Sequence, residues 1–222
     1  MMDSLRILAI ILVLSAFGLA FLWLVVFKIV SRVAERLGRS APCPASLSWI
    51  VHNPIRRRYM KPVLERVGIR PGERILELGP GPGAFSLDAA RMLGQTGRLV
   101  AVDIQPEMIA RLERRAREAG LENIETHVAG AHDLPLKDQS VDRAFLVTVL
   151  PEIPDRRRAL AELHRVLKKG GVLSITEEFL DPDYLFAGET RRLVEAAGFR
   201  PDRRFGDVWM YTWNFRKTEG EE

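Results

Sequence analysis

The sequence predicts an α/β domain built on a doubly wound, mostly parallel seven-stranded sheet with an antiparallel last strand, preceded by one transmembrane helix. Three observations lead there. The apolar run Ile75-Leu76-Glu77-Leu78 breaks abruptly into Gly79-Pro80-Gly81-Pro82-Gly83. From that point short β-branched runs alternate with helix-length amphipathic segments. Near the start, Ile7 to Phe27 carries no charged residue over 21 positions. At about 1.5 Å per residue such a run spans roughly 30 Å, the thickness of a bilayer core. A cleaved signal peptide is the alternative, but its apolar core would be about 7–15 residues followed by a small-residue site, and no such site follows here.

The chain divides accordingly into residues 1–30, a transmembrane signal-anchor; 31–70, a basic amphipathic connector; and 71–222, the α/β domain. Asp3 and Arg6 before the span nearly cancel, whereas Lys28, Arg32, Arg36 and Arg39 follow it. The positive-inside rule then places a single-pass chain in the membrane with its domain in the cytoplasm. Over 31–70, nine basic residues (Arg32, Arg36, Arg39, Arg56, Arg57, Arg58, Lys61, Arg66, Arg70) face only Glu35 and Glu65, a surplus larger than the whole chain's +4. They read as a collar docking on an anionic leaflet of the lipid bilayer, or as a solvated helix face. Nucleic acid is excluded as a partner because no aromatic-interleaved basic groove accompanies the charge. The single cysteine, Cys43, rules out an internal disulfide and a cysteine-based metal cluster. His52, His127, His132 and His164 share no ligand spacing, so no metal is expected.

Within the domain, Arg74–Leu78 reads as the first strand, ending in the glycine turn, and Ala84–Leu93 as the first helix. Arg98–Val102 is the second strand and carries Asp103 at its end. Pro106 suits a first helical turn, where its missing N–H costs nothing, and Met108, Ile109, Leu112 and Ala116 make the apolar stripe behind it. Ile124–Val128 and Val141–Val147 are the third and fourth strands. A helix over Pro154–Lys168 turns Leu160, Leu163, Val166 and Leu167 inward, and Lys168-Lys169-Gly170-Gly171 is expected to end it. Val172–Thr176 is the fifth strand, Glu189–Ala197 the last helix, and Arg203–Phe215 an antiparallel pair.

The turn and Asp103 read together as a nucleoside-cofactor site. Glycines let the backbone approach a ligand at positive φ, and a carboxylate twenty residues on can accept two ribose hydroxyls. Gly79-x-Gly81-x-x-Ala84 formally matches a dinucleotide fingerprint, which keeps NAD open. Glu77 argues for a different ligand: a carboxylate there suits a cationic amine and would repel a pyrophosphate.

The run Glu77-x-Gly79-x-Gly81-x-Gly83 followed by Asp103 resembles the class I S-adenosylmethionine-dependent methyltransferases. So do Asp133-Leu134-Pro135, Leu163 to Gly171, and Ala196-Ala197-Gly198-Phe199, in a pattern similar to the quinone- and sterol-methylating branch and to bacterial phospholipid N-methyltransferases. The resemblance implies a Rossmann-like sheet, S-adenosylmethionine as cofactor, and cofactor contacts from Glu77, Gly79, Gly81, Gly83, Asp103, Ile104, Met108, Ala131, His132 and Thr148. In the family an Asp commonly holds the adenine three residues before the Asp-Leu-Pro, and here that place is Gly130. The backbone at Ala131 and His132, or Asp133, is expected to take over. Glu152, Glu177 and Tyr59 are candidate catalytic residues: the two carboxylates to orient or deprotonate an acceptor or neutralise a headgroup amine, and Tyr59, with Tyr184 and Tyr211, to supply cation–π contacts to such an amine. The function expected is methyl transfer to a lipophilic or membrane-resident acceptor, a lipid amine headgroup or a quinone-type ring. A tethered enzyme for a soluble small molecule, a NAD-dependent oxidoreductase and a non-catalytic scaffold are the alternatives.

Overall fold

The computed structural model describes residues 59–181 and 183–218, together with eleven scattered positions between Arg6 and Lys28. The chain forms two compact units, Met1–Ser40 and Ala41–Glu222. In the first, the described residues are helical. The transmembrane expectation is corrected: among the described residues no helix is long and apolar enough to cross a membrane. The single-pass location with a cytoplasmic domain falls with it. Most of the Ile7–Phe27 run, Cys43, and the connector through Arg58 lie outside the described residues.

In the second unit the elements run α1 (Pro62–Val67), β1 (Arg74–Leu78), α2 (Ser86–Leu93), β2 (Arg98–Asp103), α3 (Pro106–Glu118), β3 (Ile124–Val128), β4 (Val141–Val147), α4 (Arg156–Val166), β5 (Leu167–Glu178), α5 (Ala187–Ala196), β6 (Phe199–Gly206) and β7 (Met210–Lys217). The sheet order is β3-β2-β1-β4-β5-β7-β6. The pairs among β1 to β5 are parallel, and β7 lies antiparallel to both β5 and β6. The seven strands and the antiparallel end match the expectation. Strand order reverses between β1 and β4, and in open α/β sheets ligands bind beyond the carboxyl ends of the strands at such a switch point.

Two cores cover the two faces. Leu76, Leu78, Leu146 and Ile175 pack with Leu160, Leu163 and Val194 from α4 and α5. Ile75, Leu99 and Phe145 pack on the other face with Val63 and Val67 of α1 and Ala89 and Leu93 of α2. The apolar stripe of α3 is the one its spacing indicates, with Met108, Ile109, Leu112 and Ala116 buried. α4 starts two residues later than its sequence suggests because Asp155 is the N-cap, accepting from the Arg158 amide at 3.1 Å.

Lys168-Lys169-Gly170-Gly171 does not cap α4. The helix already ends at Val166, with Leu167 in extended conformation, and the basic pair belongs to β5. The β4–β5 register slips between Val141 and Arg143, leaving this segment as an irregularity at the start of the strand, with Gly170 at φ +67°. At the same edge Arg143, 7% exposed, donates to Glu73 through Nε and Nη2 at 3.2 Å each and to the Val67 carbonyl at 2.8 Å. This fixes the end of α1 to the foot of the sheet. Arg143→Ala should lower stability by about 2–3 kcal/mol in urea unfolding, because it removes three hydrogen bonds of a buried guanidinium and leaves the half-buried Glu73 carboxylate without its cation. Arg143→Met combined with Glu73→Gln should recover most of that loss.

Candidate active site

The glycine turn begins where β1 ends. Gly79 adopts φ +69° and donates its amide to the Val102 carbonyl at 2.8 Å. A Cβ there would lie 2.5 Å from Val149 Cγ2, so the second residue after β4 closes directly over the turn and leaves no room for a side chain. Gly81, at φ +53°, faces open space where its Cβ would be. Arg115 of α3 holds the turn from outside, its Nη1 donating to the Pro82 and Gly83 carbonyls at 2.5 and 3.1 Å.

Asp103 stands at the end of β2. Its Oδ2 accepts from the Gly81 amide at 3.1 Å and its Oδ1 from the Gln105 amide at 2.9 Å. Each carboxylate oxygen has a further lone pair, which leaves capacity for two ribose hydroxyls. Burial raises its pKa, and the amides of Gln105, Gly81 and Ile104 oppose that rise.

Glu77 lies beneath the turn, buried, with Ser86 Oγ donating to its Oε2 at 2.5 Å. Burial pushes its pKa up to about 8; the Ser86 hydrogen bond opposes this and the nearby Asp103 charge adds to it. A buried carboxyl held neutral next to a second carboxylate is an electrostatic vacancy that a ligand ammonium can fill.

The third wall follows β3 and β4. His132 Nε2 is buried without a hydrogen-bond partner, and a Cβ on Gly130 would meet nothing within 4 Å. The place where an Asp was missing is therefore open, with an unsatisfied ring nitrogen beside it. Ala131 packs against the core. Ile104 is exposed directly after Asp103, whereas Met108 is buried on the inner face of α3 and supports the site from behind. Thr148, β-branched yet at φ +55°, donates its amide to the Thr176 carbonyl at 2.8 Å. Such a conformation is costly and concentrates at functional sites.

The catalytic candidates separate. Glu177 and Glu178 alternate across β5. Glu177 lies opposite Tyr211 and is wholly buried, with neither carboxyl oxygen hydrogen-bonded. Burial raises its pKa well above the ordinary carboxylate range; Asp181, Glu152 and Asp183 add to the rise and Arg156 opposes it. Tyr59 instead feels Glu178 and Asp207, and lines a cavity of about 270 Å³ with Arg66 and the β6–β7 hairpin. It belongs to the opposite face of β5 from Glu177, so the two do not form a pair. Tyr184 and Tyr211 stay with Glu177, their ring centroids 6.0 Å apart. The Tyr211 hydroxyl donates to the Leu185 carbonyl at 2.8 Å, and Tyr184 donates to the Val208 carbonyl at 2.9 Å. Phe179 stacks edge-on against Tyr184 and Trp209 at 5.4 and 5.2 Å, and Trp209 and Phe186 are exposed at the rim.

Ser86 and Arg115 were missed in the sequence, as was the packing of Val149 on Gly79. A hydroxyl in the first turn after a glycine run could have been paired with Glu77; nothing in the sequence indicates Val149 or Arg115.

Residues 76–175 match the family model described as a methyltransferase domain. Residues 76–175 are accordingly identified as a methyltransferase domain. S-adenosylmethionine is its cofactor, and the residues present have the chemistry to receive it: a carboxylate with free lone pairs, an open glycine, an unsatisfied His132 nitrogen and a buried acid. The methyltransferase domain is 33% identical over 132 residues to a ubiquinone/menaquinone biosynthesis C-methyltransferase UbiE of Haemophilus ducreyi, covering 58% of this chain and 51% of that protein. It is 37% identical over 121 residues to an uncharacterized 37.1 kDa protein in transposon TN4556 of Streptomyces fradiae, covering 54% of this chain and 34% of that one. The chain thus spans between a third and about half the length of these relatives. The crystal structure of a SAM-dependent methyltransferase from Aquifex aeolicus superposes with a TM-score of 0.73 at 24% identity, covering 79% of this chain and 100% of that one, which supports the fold.

Asp103→Ala should weaken S-adenosylmethionine binding at least about tenfold by calorimetry, as expected for the loss of charge-assisted hydrogen bonds to the ribose. Below pH 8 the free domain holds a proton on Glu77, which an ammonium group binding beside it would expel. Affinity should therefore rise with pH between about 5 and 8, by up to about tenfold per unit, and calorimetry in buffers of different ionisation enthalpy should register proton release. Glu77→Gln should abolish that release. Stability of the free protein runs the other way: Glu77's raised pKa favours folding at low pH and that contribution is lost as pH rises from the unfolded value towards 8.

Proposed function

We propose that this protein transfers a methyl group from S-adenosylmethionine to a lipophilic acceptor, a quinone-type ring or a lipid amine, bound at the carboxyl ends of β4 and β5. The observation that carries this reading is Glu177: a wholly buried acid with both oxygens unpartnered, framed by Tyr184 and Tyr211 and by a partly exposed aromatic rim. Buried polar groups are normally satisfied, and one left open beside an apolar wall suits an acceptor that is apolar in body and carries an exchangeable proton.

Asp103 would hold the ribose, Glu77 the amine directly or through water, and the segment Gly130 to His132 the adenine. The cofactor supplies an activated methyl, whose bond to sulfur breaks towards the neutral thioether as the bond to the acceptor forms. The protein's share is alignment and exclusion of water. Glu177 would accept the acceptor's proton, and a raised pKa suits a base that must take a proton from a phenol or an ammonium. The name of the H. ducreyi relative supports the ring as acceptor; the three further acids acting on Glu177 support an amine.

Incubating the full chain with methyl-labelled S-adenosylmethionine and a total lipid extract should carry label into the organic phase, where chromatography separates ring from amine products. Label confined to the aqueous phase would overturn the lipophilic reading. Glu177→Gln should reduce transfer by about a hundredfold while leaving cofactor affinity unchanged.

A further inference from the structure

The segment between β4 and α4 touches both halves of the reaction site. Thr148 donates its amide to the carbonyl of Thr176, the residue before Glu177. Val149 follows and packs on Gly79 of the cofactor turn. Leu150–Glu152 then make a single turn of 3-10 helix, and Arg156 opens α4. Two adjacent residues thus join the neighbour of the acceptor-side acid to the cofactor turn, and the turn after them decides where both lie.

So short a 3-10 turn has poor hydrogen-bond geometry and little stability of its own. Arg156 braces it: Nε donates to the Leu150 carbonyl at 3.1 Å and Nη2 to the Pro151 carbonyl at 2.6 Å. Both bonds come from the rigid fork of one guanidinium, so they fix the orientation of the turn as well as its position. On its other side the turn is anchored by Leu150 and Ile153, both buried in the core shared with α4.

The same guanidinium is the cation among the charged groups that act on Glu177. Around that acid stand Glu152 and Arg156 from this segment, Asp181, Asp183 and Tyr184 from the loop after β5, and Tyr211 from β7. Burial and the three carboxylates favour its protonated form, and Arg156 opposes them. The more firmly an acid is held protonated, the less of it is available as a base.

We propose that Arg156 is a positioning residue for methyl transfer: through Leu150 and Pro151 it keeps Val149 seated on the glycine turn, and its charge keeps Glu177 available to take the acceptor's proton. The charge role rests on the reading of Glu177 as the base; the seating role does not.

Carbon-13 NMR of the full chain labelled at glutamate side-chain carboxyls follows Glu177 directly, its signal assigned by its loss in Glu177→Gln. Removing a neighbouring cation favours the neutral acid, so in Arg156→Gln the Glu177 carboxyl should titrate at higher pH than in the wild type. Arg156→Lys keeps the charge, and its midpoint should stay near the wild-type one. Both variants lose the fork, so S-adenosylmethionine affinity by calorimetry should fall roughly fivefold in each. A brace without an electrostatic role would lower affinity and leave the Glu177 titration where it is. An unmoved midpoint in Arg156→Gln, or wild-type cofactor affinity in both variants, would overturn the proposal. A Glu177 carboxyl that stays protonated throughout in the wild type would remove the base and the charge role of Arg156 with it. None of these readouts needs an acceptor, so they stand apart from the transfer of label to lipid.

Discussion

The hydrogen bond from the Gly81 amide to the Asp103 carboxylate ties together the carboxyl ends of two neighbouring parallel strands. The remaining geometry of the cofactor site depends on it. To bring the amide there, the chain passes through three positive-φ glycines in five residues, the first of them lying against Val149 from the end of β4. The turn is thus clamped from three sides, by β2 through Asp103, by β4 through Val149, and by α3 through Arg115. A glycine run is ordinarily the least ordered part of a chain. Here, its permissiveness is consumed by contacts that each demand one conformation.

This clamping explains why the site accumulates acids that burial then keeps partly neutral. The Asp103 charge acts on Glu77, and both have raised pKa values because of burial. Glu177 repeats the pattern on the acceptor side, with Arg156 only partly offsetting three acids. Such groups are unfavourable in a free protein and are relieved when a cation or a proton donor arrives. The sulfonium and ammonium of the cofactor are suited to do this at Glu77, and an acceptor proton at Glu177.

Elements whose limits follow from local chemistry were legible in the sequence. β1, β3 and β4 have the limits their apolar runs indicate, and α3 begins at Pro106 with the stripe its spacing sets. Asp103 and the glycine turn were legible for the same reason, because close backbone approach admits few residue types. What was not legible depended on register. Lys168 to Gly171 looks like a helix end, yet the strand starts earlier because Leu167 pairs with Val141 and the basic segment is displaced by a slip in the ladder. Tyr59, read as a catalytic candidate beside Glu177, lies instead near Glu178, one step of pleat away on β5. The charge-free run near the start met the length criterion for a span, yet no described helix does.

The modest net charge of +4 conceals an axial separation. Acids gather where the parallel strands end, from Glu77 and Asp103 to Glu177, while unpaired cations gather where they begin, from Arg66 and Arg70 to Lys169. In a parallel sheet the two edges are distant but mechanically continuous, since each strand runs from one to the other. β1 starts beside Glu73, which holds Arg143 at the cationic end, and ends at Gly79 in the cofactor turn. The acidic end suits a cationic cofactor. The parallel register that gathers the strand ends around the glycine turn gathers the beginnings of β1, β4 and β5 at the other end, so the two electrostatic poles are consequences of one topology.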